Sequence, residues 1–243
     1  DPARRKGMFV TAVGGPGSSG LASADSYAAS YDPALNDVFD LVFFDQRGIG
    51  MSGNLRCDDE VASYYQTESG SRTAEEAQAT IDNARAFARD CLARLGNPSE
   101  AGLYGTWQAA EDLEAFRVLK GDDQLWLYGE SYGTQFAQIY AAAHPDRVAA
   151  LVLDGVVDLT LNGPQFLRDQ TAAFNDTLVR TLETCNADPL CREDLGRDAV
   201  KAYDKLAKKL ERRPLAFDFK RADGVVESRL FKLGDLETAA STY

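Results

Sequence analysis

Histidine is almost missing from this chain: one residue, His144, in 243. Chemistry that needs an imidazole base therefore has a single candidate within it. Cationic side chains are also scarce, with 26 Lys and Arg against 38 Asp and Glu, a formal charge of −12. That balance argues against nucleic acid or an anionic membrane as the main partner. No apolar run approaches the ~20 residues that a helix needs to span a bilayer. The four cysteines lack C-x-x-C spacing, and no internal repeat or low-complexity linker occurs. The sequence calls for no metal and no other cofactor.

What is present has the balance of a globular protein, 44% hydrophobic and 26% charged. The length suits one large α/β domain, or a domain with an insertion. Cys57, Cys91, Cys185 and Cys191 allow three pairings. Local pairing, Cys57–Cys91 and Cys185–Cys191, is the expectation; it fits an oxidising, exported setting, the alternative being four reduced cysteines in a cytosolic protein. The chain opens at Asp1-Pro2 with no initiator Met and no leader pattern. Its first strand-like run leads at once into glycines, so earlier sheet strands are expected to lie outside this sequence.

Along the chain, Gly7 to Val13 reads as a strand, followed by the glycine loop Gly14-Gly-Pro-Gly-Ser-Ser-Gly20 and a short helix around Ala22 to Ser30. Val38 to Phe44 is a second buried strand, closed by Asp45-Gln-Arg-Gly-Ile-Gly50. In that loop Asp45 and Arg47 are expected to form an ion pair with a structural role. Thr73 to Leu95 has helical period and a capping-box start, and Gly96-Asn-Pro98 stops it. Thr106 to Leu119 is another amphipathic helix, ended by Gly121. Strands at Leu125 to Gly129 and Val148 to Asp154 flank a helix from Tyr132 to about Ala143. Strands alternating with helices indicate a parallel sheet covered on both faces. After about Thr160 the character changes. Asn162 to Cys185 and Glu193 to Arg212 read as charged helices, Pro214 to Phe219 as a short strand or extended arm, and Phe231 to Tyr243 as a further helix or turn. Residues 1–160 are thus expected to form a partial α/β core, and residues 161–243 a helical lid.

Gly129-Glu-Ser-Tyr-Gly133 carries the most information. It matches G-x-S-x-G, the nucleophile elbow, and it stands in the context that the elbow needs, with a strand before and a helix after. Such a turn holds a serine in a strained conformation with its hydroxyl exposed above the sheet. A serine nucleophile also needs donors for the oxyanion, a base and an acid that orients the base. Tyr132, directly after Ser131, supplies one backbone N–H. Gly15 is the choice for the second, because the next residue, Pro16, has no N–H to offer. A phosphate-binding reading of Gly14 to Gly20 fails, since the loop lacks the Lys-Ser/Thr ending of a P-loop and does not fit G-x-G-x-x-G.

The base is harder to find. A continuous helix from Tyr132 would put His144 about 18 Å from the elbow, at ~1.5 Å per residue. His144 therefore reads as a helix exit before Pro145. Chain order in this chemistry runs Ser, acid, His, so an acid and a histidine are expected beyond Tyr243. Asp154 and Asp158 are candidates for the acid, but strand-end aspartates are commonly turn residues. Glu130 either meets a substrate ammonium or a buried partner, or is a carboxylate favoured by a helix N-terminus.

Three motifs stand in order: Gly14 to Gly20, Asp45-Gln-Arg-Gly-Ile-Gly-Met-Ser52 and Gly129 to Gly133. Together they resemble the α/β-hydrolase peptidases of the prolyl iminopeptidase and secreted tripeptidyl aminopeptidase group. The resemblance runs from about Ala3 through His144 to Gly155, and more loosely into the lid. It implies an α/β-hydrolase fold, Ser131 as nucleophile, Gly15 and Tyr132 as oxyanion donors, and a helical cap after Asp154. It also implies an exported enzyme acting on peptides with a free N-terminus, with its catalytic Asp and His after the lid. An esterase on the same scaffold is the first rival. A non-catalytic binding protein that keeps the elbow without a base is the second.

Overall fold

The computed structural model describes residues 2–53, 55–66, 73–96 and 98–242. The chain forms two compact units, one within residues 1–160 and the other formed mainly from Leu161 onward.

The first unit contains β1 (Gly7–Ala12), α1 (Gly20–Ser30), β2 (Phe39–Phe43), α2 (Asp58–Gln66), α3 (Ala74–Arg94) from Gln78 onward, α4 (Thr106–Lys120), β3 (Leu125–Glu130), α5 (Tyr132–Ala143) and β4 (Val148–Asp154). Its four strands are all parallel, in the order β2-β1-β3-β4. After β1 the chain moves outward to β2, then crosses back to place β3 on the other side of β1. The carboxyl ends of β1 and β3 therefore flank a switch point, where open α/β sheets form their binding crevice. The glycine loop leaves one of these ends, and Ser131 leaves the other.

Alternation along the strands gives the two sheet faces different company. Met8, Val10 and Ala12 of β1 and Leu125 and Leu127 of β3 are buried with Ala109, Ala110 and Leu113 of α4 and Phe136, Ala137 and Tyr140 of α5. Each large apolar side chain so buried contributes about 1.5–3 kcal/mol. Of the intervening residues, Phe9, Trp126 and Tyr128 are aromatic, and Thr11 shares a hydrogen bond with the Tyr31 hydroxyl at 2.8 Å. Phe9 meets Tyr31 and Phe39, Phe39 meets Trp126, and Tyr128 packs edge-on to Tyr27 and Tyr31, which stand at the end of α1.

Most expected elements appear within a residue or two of their predicted bounds. Thr73 caps α3 by accepting from Glu76 N at 3.1 Å. Gly121 ends α4 in the left-handed region at φ 77°. The helix α2 was not anticipated. The expected cysteine pairs are both at bonding distance, Cys57–Cys91 and Cys185–Cys191.

The second unit holds α6 (Gly163–Ala187), α7 (Pro189–Leu195), α8 (Ala199–Arg212), β5 (Leu215–Lys220), β6 (Val226–Phe231) and α9 (Leu233–Thr242). Two readings need correction. The helix expected over Glu193 to Arg212 is two helices, because Gly196 turns left-handed at φ 64° and Asp198 caps a new start by accepting from Lys201 N. The arm at Pro214 to Phe219 is half of an antiparallel hairpin, β5 with β6.

Candidate active site

Ser131 has φ 54° and ψ −122°, and it is the one non-glycine residue with positive φ among those described. For a residue with a Cβ that conformation is strained. Three bonds hold it. Ser131 N donates to the Asp154 carbonyl at 2.8 Å, and the Ser131 carbonyl accepts from Thr134 N at 2.9 Å and Thr134 Oγ1 at 2.7 Å. Serine at a helix N-cap ordinarily caps with its hydroxyl. Here Ser131 occupies the N-cap of α5, yet its side chain makes no capping bond. The positive φ turns Oγ away from the helix and leaves it available.

Two glycines permit this close packing. A methyl group on Gly133 would lie 1.9 Å from the Ala12 carbonyl oxygen of β1, and one on Gly129 would lie 2.4 Å from the Gly133 carbonyl oxygen. The elbow thus sits directly against the end of β1. The loop that follows β1 also reaches the serine: a methyl on Gly14 would be 3.1 Å from Ser131 Cβ and 3.6 Å from its Oγ. Sequence positions more than a hundred residues apart therefore converge. Tyr132 begins α5, so its N–H has no acceptor within the helix and stands at the helix's positive end.

The loop after β2 reinforces this arrangement, though not as expected. Asp45 and Arg47 do not pair. Buried Asp45 accepts from Ser19 Oγ at 2.6 Å, Met51 N at 2.9 Å and Leu21 N at 3.2 Å. Burial opposes its ionisation, but the Ser19 hydroxyl and the Met51, Leu21 and Gly20 amides outweigh that and lower its pKa. Asp45 thereby ties the exit of the glycine loop to its own loop. Arg47 reaches α4 instead, with two bonds to Asp112 at 2.6 and 2.7 Å and one to the Leu103 carbonyl at 2.7 Å. Gln46, between them, lies 3.4 Å from the Tyr132 hydroxyl, which also bonds Thr106 Oγ1 at 2.7 Å. The correction is physical: a buried carboxylate surrounded by amide donors satisfies itself without an arginine.

Glu130 meets a protein partner. Tyr27 of α1 donates its hydroxyl to Glu130 Oε2. Burial first, and that carboxylate second, push the Tyr27 phenol well above its ordinary pKa. A parallel pair lies alongside: Tyr128 donates to Asp154 Oδ2 at 2.8 Å, and the Tyr128 phenol is raised for the same two reasons. Glu130 and Asp154 face each other in the β3–β4 register. Asp158 accepts from Thr160 N and Thr160 Oγ1, which is a local turn.

His144 closes α5 at the end away from Ser131, its Nε2 3.1 Å from Glu111 Oε1 and its ring against Tyr140. Sequence reasoning placed it there. It did not find Tyr27, Gln46 or Thr106, whose partners are remote in the chain and leave no local signal, nor Thr134, which joins neighbouring Ser131 to the more distant Val157.

Known proteins resemble this chain in sequence. A sequence model of the alpha/beta hydrolase fold matches residues 9–194. The serine protease Hip1 of Mycobacterium tuberculosis is 32% identical over 201 residues, 82% of this chain and 38% of the relative. Carboxylesterase B of the same species is 32% identical over 222 residues, 87% of this chain and 41% of its own length. Tripeptidyl aminopeptidase of Streptomyces coelicolor is 33% identical over 161 residues, 63% of this chain and 29% of the relative. The chain thus spans less than half the length of each.

Proposed function

The chain belongs to the α/β-hydrolase fold family, and on that premise we propose that it carries the nucleophile and oxyanion hole of an exported serine aminopeptidase. The observation that carries this reading is the elbow. Ser131 is held at φ 54° with its hydroxyl free of the helix cap, against the glycine loop. The peptidase-named relatives favour a peptide as substrate, and two disulfides suit an exported setting.

In the proposed reaction Ser131 Oγ gives its proton to the base and bonds to the carbonyl carbon, and the carbonyl electron pair moves onto oxygen. The Tyr132 and Gly15 N–H groups hold that oxyanion; each such donor is worth about 3–4 kcal/mol in the transition state. Collapse breaks the C–N bond and the amine leaves with a proton. Water then hydrolyses the acyl-enzyme. The proton carrier is assigned to a histidine outside these 243 residues, with an aspartate to orient it, because His144 lies about 18 Å away along α5. On this reading residues 1–243 alone turn over substrate negligibly. Glu130, one residue before the nucleophile, supplies negative charge that favours a peptide ammonium. Residues 161–243 serve as the lid.

The test is a panel of aminoacyl 4-nitroanilides and short-chain 4-nitrophenyl esters offered to the full-length protein. Amide turnover that requires an unblocked amine supports the aminopeptidase. Ester turnover without amide turnover supports the second reading, an esterase, which the similarity to carboxylesterase B favours.

A further inference from the structure

The cationic side chains of the second unit are not spread evenly. From Leu161 to the end, Lys and Arg equal Asp and Glu in number, so the −12 charge resides in residues 1–160. Within this neutral stretch, Lys201, Lys205, Lys208, Lys209 and Arg212 line one side of α8, and Arg213 follows. These six, with Asp204 and the Pro214–Ala216 segment, line a groove of about 980 Å³. No ion pair engages any of the six cations among the described residues. The opposite side of α8 is already used, since Ala199 and Leu210 are buried.

Helix electrostatics do not account for the stripe. Cations are favoured in the last turn of a helix, which covers Lys209 and Arg212. Lys201 stands in the first turn, where the dipole disfavours it, and Lys205 lies mid-helix. Their spacing is informative. Residues four apart on a helix advance about 6 Å, so Lys201, Lys205, Lys208/Lys209 and Arg212 present charge at nearly regular steps. Alternate side chains of an extended peptide advance about 6.6 Å. A run with Asp or Glu at every second position therefore matches the stripe, and its intervening side chains meet the lysine stems, Pro214 and Leu215.

We propose that the groove along α8 is a docking surface for an extended acidic peptide with carboxylates at alternate positions. Its concave form favours a peptide over a flat anionic bilayer. The surface does not depend on Ser131 chemistry.

The test uses full-length protein carrying Ser131→Ala and a fluorescent peptide, acetyl-(Glu-Ser)5-amide, which has no free amine and is read by binding alone. Saturable binding is expected, weakened by 0.5 M salt and absent for the (Gln-Ser)5 peptide. The double variant Lys205→Glu/Lys208→Glu should weaken it by about tenfold or more, because two attractive charge contacts become two repulsive ones. Arg168→Glu, on exposed α6, should not. Far-UV circular dichroism confirms that each variant is folded. Three results overturn the proposal: no binding, equal binding by the charge-reversed variant, or binding to phosphatidylglycerol vesicles without binding to the peptide. A failure here leaves the turnover assay for the aminopeptidase untouched.

Discussion

Thr134 Oγ1 donates to the Ser131 carbonyl at 2.7 Å and accepts from Val157 N at 2.8 Å. One fully buried hydroxyl thus joins the elbow to the segment that follows β4. Replacing it with a methyl keeps the volume and orphans the Val157 N–H. Thr134→Val should destabilise the protein by about 1–3 kcal/mol, the cost of an unmet buried group, while Thr134→Ser stays near the parent. Urea unfolding midpoints compare the two, and equal midpoints would show that the bond is unimportant.

Gly133 and Gly163 should respond oppositely to alanine. A Cβ at Gly133 meets the Ala12 carbonyl oxygen at 1.9 Å, whereas one at Gly163 meets nothing within 4 Å. Gly133→Ala should lower soluble yield sharply or abolish folding. Gly163→Ala, at the start of α6, should be neutral or stabilise by up to about 1 kcal/mol. Thermal melts decide it.

Acid should weaken the first unit through Glu114. Its bonds to Arg117 outweigh the cost of burial and, with the Tyr140 hydroxyl, lower its pKa from 4.5 to about 2. A carboxylate whose pKa is lower in the folded state adds stability above its unfolded pKa. That contribution is whole above pH 4.5 and is lost as pH falls towards 2. Glu114→Gln should flatten the pH dependence of stability in this window. It should also lower stability at pH 7, because Arg117, 7% exposed, loses its anion. An unchanged acid slope would contradict the assignment.

The two disulfides should differ in weight. Cys57 and Cys91 are 34 residues apart, Cys185 and Cys191 only 6. Chain entropy assigns about 4 kcal/mol to the longer loop and about 2 kcal/mol to the shorter. Paired Cys→Ala variants, unfolded in urea without reductant, should rank in that order.

Much of the elbow could be read from sequence because its determinants are local. Glycines at 129 and 133, an apolar strand before and a helix after fix the turn with no knowledge of the remainder. Tyr132–Ala143 and Val148–Asp154 were found at their observed bounds for the same reason. The partners of Asp45, Arg47 and Glu130 were not found. Arg47 bonds a residue 65 positions away, and Glu130 one 103 away. Such pairs follow from strand order, which periodicity does not encode. The β5–β6 hairpin was half-missed because its strands are mostly exposed and show little apolar alternation. The break at Gly196 carried a signal, a glycine followed by Asp198 as a cap, and helical composition on both sides hid it.

The central claim is that Ser131 is the nucleophile. The direct measurement is reaction of the full-length protein with a fluorophosphonate, followed by peptide mass spectrometry. The account predicts one adduct on the peptide containing Ser131, blocked by prior incubation with an aminoacyl-amide substrate, and lost together with turnover in Ser131→Ala. An unlabelled Ser131 in a protein that still cleaves substrate, or undiminished turnover by Ser131→Ala, would contradict it.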